Sequence, residues 1–238
     1  MTADVLIVGA GSAGSILAER LSADPARRVL LIEAGPARTS PAVRSLTDNA
    51  TILPIYPRSP VVRRFDTQLT EDGTHPAQIV RGACLGGSGA VNGGYFCRAL
   101  PTDFDDAPPG WSWADVEPHY RAIATDLDFP DLSGGGPIPV RRVAEMIGST
   151  ATFVTAAESA GFRWLPDLNE AGADSGVAAV PLNIADGVRI GPGAAFLEPA
   201  LDRPNLTVLT GVRVTRIRTA AGRVLGVQAV GPGGPVTL

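Results

Sequence analysis

With 238 residues, 45% of them apolar and 18% charged, the chain can bury the core of one large domain or two small ones. The net charge of −4 argues against a nucleic-acid partner, which would want a basic face, and no block of like charges marks a tail. Cys84 and Cys97 make neither a disulfide framework nor a metal-ligand pattern, so both read as small buried hydrophobes in a reducing, cytoplasmic setting; no apolar run approaches the ~18 residues of a membrane span, and Met1 lies too near the first strand for a charged leader.

The first element is the apolar run Val5-Leu6-Ile7-Val8, which reads as a buried parallel strand. It enters the turn Gly9-Ala10-Gly11 and then a helix beginning near Ser12, with Ala13, Ile16, Leu17 and Leu21 on one face and a break at Asp24-Pro25. In such a unit Gly9 makes the tight turn, Gly11 lets the backbone approach phosphates, and Gly14 lets the helix lie close to the strand; the first helical N–H groups point at a pyrophosphate. The second strand, Val29-Leu30-Leu31-Ile32, ends in Glu33, about 20 residues past the glycines, where a carboxylate can accept hydrogen bonds from ribose hydroxyls. A dinucleotide is the implied ligand. Glu33 in place of an arginine disfavours a 2′-phosphate, and the motif leaves NAD or FAD open, because both carry the ADP half.

Pro36, Pro41, Pro54, Pro57 and Pro60 then rule out long regular structure, and the segment reads as an extended connection. His75 follows a turn-like Asp72-Gly73-Thr74, and His119 sits in the helical pattern of Val116, Tyr120, Ile123 and Leu127; neither has an orienting carboxylate, so each reads as a solvated or capping histidine. The second glycine-rich segment, Arg81 to Arg98, alternates glycines with Leu85, Val91, Tyr95 and Phe96, which want burial, so it is not a flexible linker. It is either a buried loop whose backbone touches a flat or charged ligand or a tight structural turn.

Ser112 with Asp115 predicts a capping box opening an amphipathic helix, and Trp111 and Trp113 read as packing anchors. Gly134-Gly135-Gly136 reads as a hinge into a smaller layer that holds a helix from about Thr150 to Ala160, ended by Gly161. A third parallel strand starts at Leu206. Val212 to Thr219 alternates as a strand, Ala221-Gly222 turns, Val224 to Val230 pairs back, and Pro235 to Leu238 begins one strand more. A doubly wound sheet with strands only at Val5, Val29 and Leu206 is short of the strands that normally follow, so the fold reads as incomplete at the C-terminus. The expected class is α/β: a Rossmann-like dinucleotide-binding domain with a parallel sheet plus an antiparallel meander, and part of a smaller α+β substrate domain.

Two glycine loops in one chain, with Arg81-Gly82, Leu85-Gly86-Gly87-Ser88 and Asn92-Gly93, resemble the first signature of the glucose-methanol-choline (GMC) family of FAD-dependent oxidoreductases. The resemblance continues through Pro109-Gly110-Trp111-Ser112-Trp113, Pro118 and Tyr120, then Asp167 and Asn169, Arg189 with Ala195-Phe196-Leu197, and Arg203-Pro204-Asn205-Leu206-Thr207-Val208. Gly86 to Phe96 is most similar to the mycofactocin-associated members found in actinobacteria. Two departures stand out: Ser88-Gly89 replaces the family's two serines, and Asp106-Ala107-Pro108 stands where a tryptophan is usual.

The resemblance implies non-covalent FAD, since Val91 occupies the place of the histidine that carries covalent flavin in some members. It implies Gly9, Gly11, Ser12, Ala13 and Gly14 at the pyrophosphate, Glu33 and the adjoining Ala34 at the ribose, and Gly87, Ser88, Asn92, Gly93 and Gly94 on the isoalloxazine side. Arg81 and Gly82 would line the approach to that loop, and Val212 would meet the adenine through its backbone. It further implies an FAD-binding part in residues 1–133, a substrate-side segment in 134–190 and a return to the cofactor domain in 191–238. The implied reaction oxidises a small-molecule alcohol to a carbonyl, with the family's catalytic histidine expected from a C-terminal part beyond Leu238; substrate and electron acceptor leave no readable mark. A non-catalytic flavin-binding product and an NAD enzyme are the alternatives, the latter weakened because no second βαβ half follows Pro36.

Overall fold

The computed structural model describes residues 2–132, 134–143, 145–170, 172 and 175–238. In chain order it contains β1 (Val5–Val8), α1 (Ser12–Ser22), β2 (Val29–Ile32), α2 (Pro41–Thr47), β3 (Val62–Gln68), β4 (Pro76–Gly82) and a 3-10 turn, Gly87–Ala90. There follow α3 (Trp113–Ile123), β5 (Ala124–Asp126), β6 (Ile138–Val140), α4 (Gly148–Ser159), β7 (Arg163–Trp164), β8 (Gly176–Val177), β9 (Ile184–Ala185) and β10 (Val188–Arg189). A π-helical turn, Gly193–Leu197, precedes β11 (Leu206–Leu209), β12 (Arg213–Ala220), β13 (Arg223–Gly231) and β14 (Gly234–Thr237). Contacts divide the chain into a unit formed by the residues up to Gly93 with Gly187–Leu238, and a second unit, Gly94–Asp186.

In the first unit β1, β2 and β11 form a parallel sheet with β2 in the centre, Val29 lying opposite both Val5 and Leu206. All four residues of β2 are buried because the strand is covered on both faces. Side chains alternate across a strand, so Val29 and Leu31 join Ile7, Ala18, Leu197 and Leu206 in one core, while Leu30 and Ile32 pack with Val227 in another. Val227 comes from the antiparallel meander β12-β13-β14, whose first hairpin turns through Ala221 (φ 48°) and Gly222 (φ 75°), the two positive φ values of a tight hairpin turn. The three parallel strands and the meander stand where the sequence placed them.

The proline-rich stretch differs from the expected extended connection. Pro41 occupies the first turn of α2, where its missing N–H is no loss and its fixed φ suits a helix. The β3–β4 hairpin, Val62 opposite Gly82, then leads into the second glycine segment.

In the second unit β5 pairs with β6 and β7 with β8, both in parallel. Ser112 caps α3: its Oγ accepts from the Asp115 N–H, and its own N–H donates to Asp115 Oδ2 at 3.0 Å. Trp113 is the anchor expected, with its ring centroid 5.8 Å from that of Phe104 and 5.9 Å from that of Tyr120. Trp111 is not: it is 61% exposed, because it precedes the helix and meets no such ring among the described residues. α4 ends as expected before Gly161 (φ 94°). Arg142 is buried between Asp126 and Asp167, and Asn169 ties this ion cluster to the chain leaving the glycine segment by donating to Phe96 O and accepting from Arg98 N–H at 2.8 Å.

Candidate cofactor site

The first glycine turn places Gly9 and Gly14 as the sequence implies. Gly9 has φ 95° and donates its N–H to Ile32 O at 2.7 Å, fixing the end of β1 against β2. A Cβ on Gly14 would stand 1.9 Å from Gly9 O, so only glycine lets α1 start so close to the strand. A Cβ on Gly11 would meet nothing within 4 Å: the space in front of it is open. Gly11 is also the N-cap of α1 and supplies no side-chain cap, and the first turn, which holds Ser12 and Ala13, has no acidic residue. The positive end of the helix therefore faces that open space with no cap or acidic side chain from its own first turn.

Glu33 is buried, and its carboxylate has a task the sequence did not disclose. Oε2 accepts from the Ala10 N–H and Oε1 from the Gly35 N–H, each at 2.8 Å, so the side chain braces the turn it follows. Each oxygen keeps a further lone pair, which leaves the carboxylate able to accept from a diol. Ser15, fully buried, donates from Oγ to Ala10 O at 3.1 Å and so holds the next peptide of the same turn. Ala34 is half-buried beside Glu33. Val212 is brought to the end of β2, where its N–H donates to Glu33 O at 2.9 Å.

The second glycine segment folds back on the first. Gly86 donates its N–H to Ala10 O at 2.7 Å, and a Cβ on Gly87 (φ 54°) would stand 2.6 Å from Gly11 Cα. Gly82 lies just as close to the loop: a Cβ there would be 2.2 Å from Gly87 C, and its N–H donates to Ser88 Oγ at 3.0 Å. Gly89, where the family pattern has a second serine, is demanded by this chain, since a Cβ would press to 2.7 Å from Ser12 Oγ and 2.9 Å from Pro192 Cδ. The N–H groups of Val91 and Asn92 close the turn onto Ser88 O at 3.2 and 3.0 Å. Asn92 and Gly93 beyond it are exposed. Arg81 is exposed and donates to the adjacent Val80 O at 3.1 Å. Gly94 begins the second unit, where its carbonyl accepts from Asn183 N–H at 2.8 Å.

Two buried arginines, Arg38 and Arg189, meet at Thr47, and Arg189 also reaches the loop at Ala90. Arg38 donates from Nε to Glu198 Oε1 at 2.6 Å, pairs with Asp48 Oδ1 at 2.6 Å and reaches Thr47 Oγ1 at 3.0 Å. Arg189, 1% exposed, donates to Thr47 O at 3.0 Å, to Ile52 O at 2.8 Å and to Ala90 O at 3.4 Å. Burial drives the pKa of Arg189 below its usual value, the neighbouring Asp48 charge acting against that.

The titratable groups separate as well. Burial, reinforced by the negative charge of Glu33, pushes the Cys84 thiol up to about 12, so it is an inert core residue as expected. Cys97 is exposed, against the expectation of burial, because it lies on the chain leaving the loop. Both histidines are exposed, and His75 Nδ1 sits 2.8 Å from Thr74 Oγ1 within its own turn. Among the described residues no group of three or more His, Cys, Asp or Glu side chains could hold a metal ion. The open glycine, the uncapped helix and the braced carboxylate together fit a pyrophosphate and a ribose.

A family model described as GMC oxidoreductase matches residues 3–237. The chain is 40% identical over 237 residues to a GMC-type oxidoreductase from the thcA 5′ region of Rhodococcus erythropolis, covering 97% of this chain and 47% of that one. It is 33% identical over 245 residues to pyridoxine 4-oxidase of Microbacterium luteolum, covering 99% and 47%. Among solved structures, pyridoxine 4-oxidase from Mesorbium loti superposes with a TM-score of 0.89 at 33% identity, covering 100% of this chain and 48% of that chain. The chain thus spans about half the length of the curated relatives it matches.

Proposed function

The chain belongs to the GMC oxidoreductase family, and we propose that residues 1–238 are the FAD-binding portion of an oxidoreductase that converts a small-molecule alcohol to a carbonyl. The observation that carries this reading is the interlock of Gly87 with Gly11 in front of an uncapped helix terminus. Two segments come together as one surface: N–H groups of Ser12 and Ala13 for the pyrophosphate, Glu33 for the ribose, and the turn Gly87–Gly93 for the ring system. Relatives of this chain include pyridoxine 4-oxidase and a 5-(hydroxymethyl)furfural oxidase, names consistent with a hydroxyl-bearing substrate.

Bound FAD would accept the carbinol hydride at N5. The residues of this chain would bind and orient it. Gly11 leaves room for phosphate oxygens, Glu33 fixes both the Ala10 peptide and the diol, and Gly82 and Ser88 hold the flavin loop at the distance that Gly87 allows. Val91 is 4% exposed and offers no nucleophile, which supports a cofactor held without a covalent bond. Neither exposed histidine is placed as a base, so we assign the acceptor of the hydroxyl proton to polypeptide outside residues 1–238. The cofactor belongs to the unit containing both glycine loops, and the substrate side to the second unit.

The visible spectrum of the purified chain after incubation with FAD and desalting tests this reading, with NAD binding followed by calorimetry. A retained flavin spectrum is expected. A folded chain that retains no flavin and binds NAD would overturn it.

A further inference from the structure

The acidic side chains stop at Asp202. Residues 203–238 hold five of the 20 cationic residues, all arginine, and none of the 24 acidic ones, a side-chain charge of +5 against −9 for the remainder. Four of these arginines lie on the β12–β13 hairpin, and strand pairing sorts them onto one face. Val227 packs on Leu30 and Ile32, and Ala229 is buried, so their partners Ile217 and Val214 share that inner side. Gln228 and Val230 alternate to the outer side, opposite Arg216 and Arg213; Arg218 is the next outward residue, and Arg223, opposite Ala220, completes the row. All four arginines are exposed, and among the described residues none is held in an ion pair.

The inner side of the hairpin outruns the core. Beyond Val227, Ile217 is 57% exposed, Val224, opposite Thr219, is 68% exposed, and Leu225 in the bulge between them is 58% exposed. β12 is the edge strand of its sheet, and charges on an edge guard it against pairing with other chains. Edge protection accounts for the arginines and not for three aliphatic side chains left in water beside them. An anionic bilayer surface satisfies both: its phosphates take guanidinium forks, and its acyl boundary takes aliphatic groups.

We propose that the tip of the β12–β13 hairpin is an interfacial anchor that seats on an anionic lipid bilayer. Ile217, Val224 and Leu225 enter the acyl boundary, while the long side chains of Arg213, Arg216, Arg218 and Arg223 reach the phosphates. The hairpin lies outside both glycine loops, so this contact does not depend on the cofactor reading. Each arginine near such a surface strengthens binding by roughly fivefold, so two removed together cost about 30-fold.

Co-sedimentation with phosphatidylcholine vesicles, with and without about one-third phosphatidylglycerol, tests this. The wild-type chain should bind the anionic vesicles and not the neutral ones, more weakly at about 0.5 M salt than at low salt. Arg216→Gln with Arg218→Gln should weaken binding about 30-fold, and Ile217→Ser with Val224→Ser about tenfold or more. Arg58→Gln with Arg63→Gln makes the same change of net charge at two other exposed arginines and should leave binding unchanged. Every substituted side chain is exposed, so the variants should melt like the wild type by circular dichroism. Leu225→Trp reads insertion without removing an apolar group: brominated lipid in the anionic vesicles should quench it more strongly than the three native tryptophans. No binding to anionic vesicles overturns the proposal, as does equal weakening by the Arg58 and Arg63 pair. Binding that needs the arginines but neither Ile217 nor Val224, with no added quenching at position 225, also overturns it and makes the hairpin a site for an acidic protein instead.

Discussion

Two glycines separated by two residues should respond to alanine in opposite ways. At Gly14 the new Cβ would lie 1.9 Å from Gly9 O, more than 1 Å inside the closest real contact, and that oxygen is backbone, so α1 must move away from β1. A radial gap of up to about 1 Å forfeits a quarter to a half of the dispersion energy across the contacts it opens, and overpacking of this kind costs about 3 kcal/mol. For a chain of this size the Tm should fall by roughly 6–12 °C. At Gly11 the Cβ meets nothing within 4 Å and φ is −72°, a conformation alanine adopts freely. Loss of a glycine N-cap costs at most about 1 kcal/mol, and the stiffer unfolded chain returns about as much. The apo Tm should therefore stay within about 3 °C of wild type, while the methyl group enters the space assigned to phosphate oxygens and weakens FAD binding by about 100-fold or more. Thermal circular dichroism of the apo chain and fluorescence titration with FAD measure the two quantities separately. A Gly11→Ala chain that binds FAD like the wild type would refute the assignment of the open space, and a Gly14→Ala chain of unchanged Tm would refute the close packing of α1.

Glu33→Gln leaves one oxygen for two backbone donors, so either the Ala10 or the Gly35 N–H loses its acceptor; a stability loss of about 1–3 kcal/mol by urea titration is expected, with weaker FAD binding. Cys97 should react with iodoacetamide at pH 8 while Cys84 does not, since burial raises Cys84 to about 12; quantitative Cys84 labelling of the folded chain would contradict its burial. The sign of that shift also sets an alkaline limit. A thiol whose folded pKa lies above its unfolded value of 9.0 contributes fully below pH 9.0 and loses its contribution as pH rises towards about 12, so replacing Cys84 with serine should flatten the stability loss in that window. Acid precipitation of the FAD-loaded chain should release all the flavin into the supernatant, because Val91 cannot hold it covalently; flavin remaining in the pellet would contradict this.

What the sequence made legible was local. Val5 to Glu33 is one continuous βαβ stretch in which each glycine's task follows from its spacing, and the structure shows the turn at Gly9 and the close packing at Gly14. The meander after Leu206 was equally readable, because the alternation of Val212 to Thr219 and the turn Ala221-Gly222 are written in the chain itself. The interlock could not be read, because it depends on a contact between Gly11 and Gly87 that no periodicity encodes; only the likeness to known signatures joined the two loops. Arg189 is a polar residue placed in a core by three distant carbonyls, Glu33 braces a peptide formed earlier in the chain, and Pro41 starts a helix where proline density suggested none. In each of these a tertiary partner overrode the local signal.

The same interlock couples cofactor binding to folding. The proposed surface needs Gly86 and Gly87 docked on Ala10 and Gly11, so on that reading FAD is expected to bind the folded chain and not its separated loops. Saturating FAD at about 100 times Kd should then raise stability by about 2.7 kcal/mol, a Tm increase of roughly 5–11 °C. Gly87→Ala meets both a left-handed φ of 54° and a Cβ 2.6 Å from Gly11 Cα, so it should lose this increment as well as intrinsic stability. Thermal melts at a series of FAD concentrations separate the two losses: intrinsic destabilisation lowers every melt equally, whereas loss of the docked surface removes the dependence on FAD. A Gly87→Ala chain whose Tm still climbs with FAD as in the wild type would show that the cofactor does not need the second loop seated on the first.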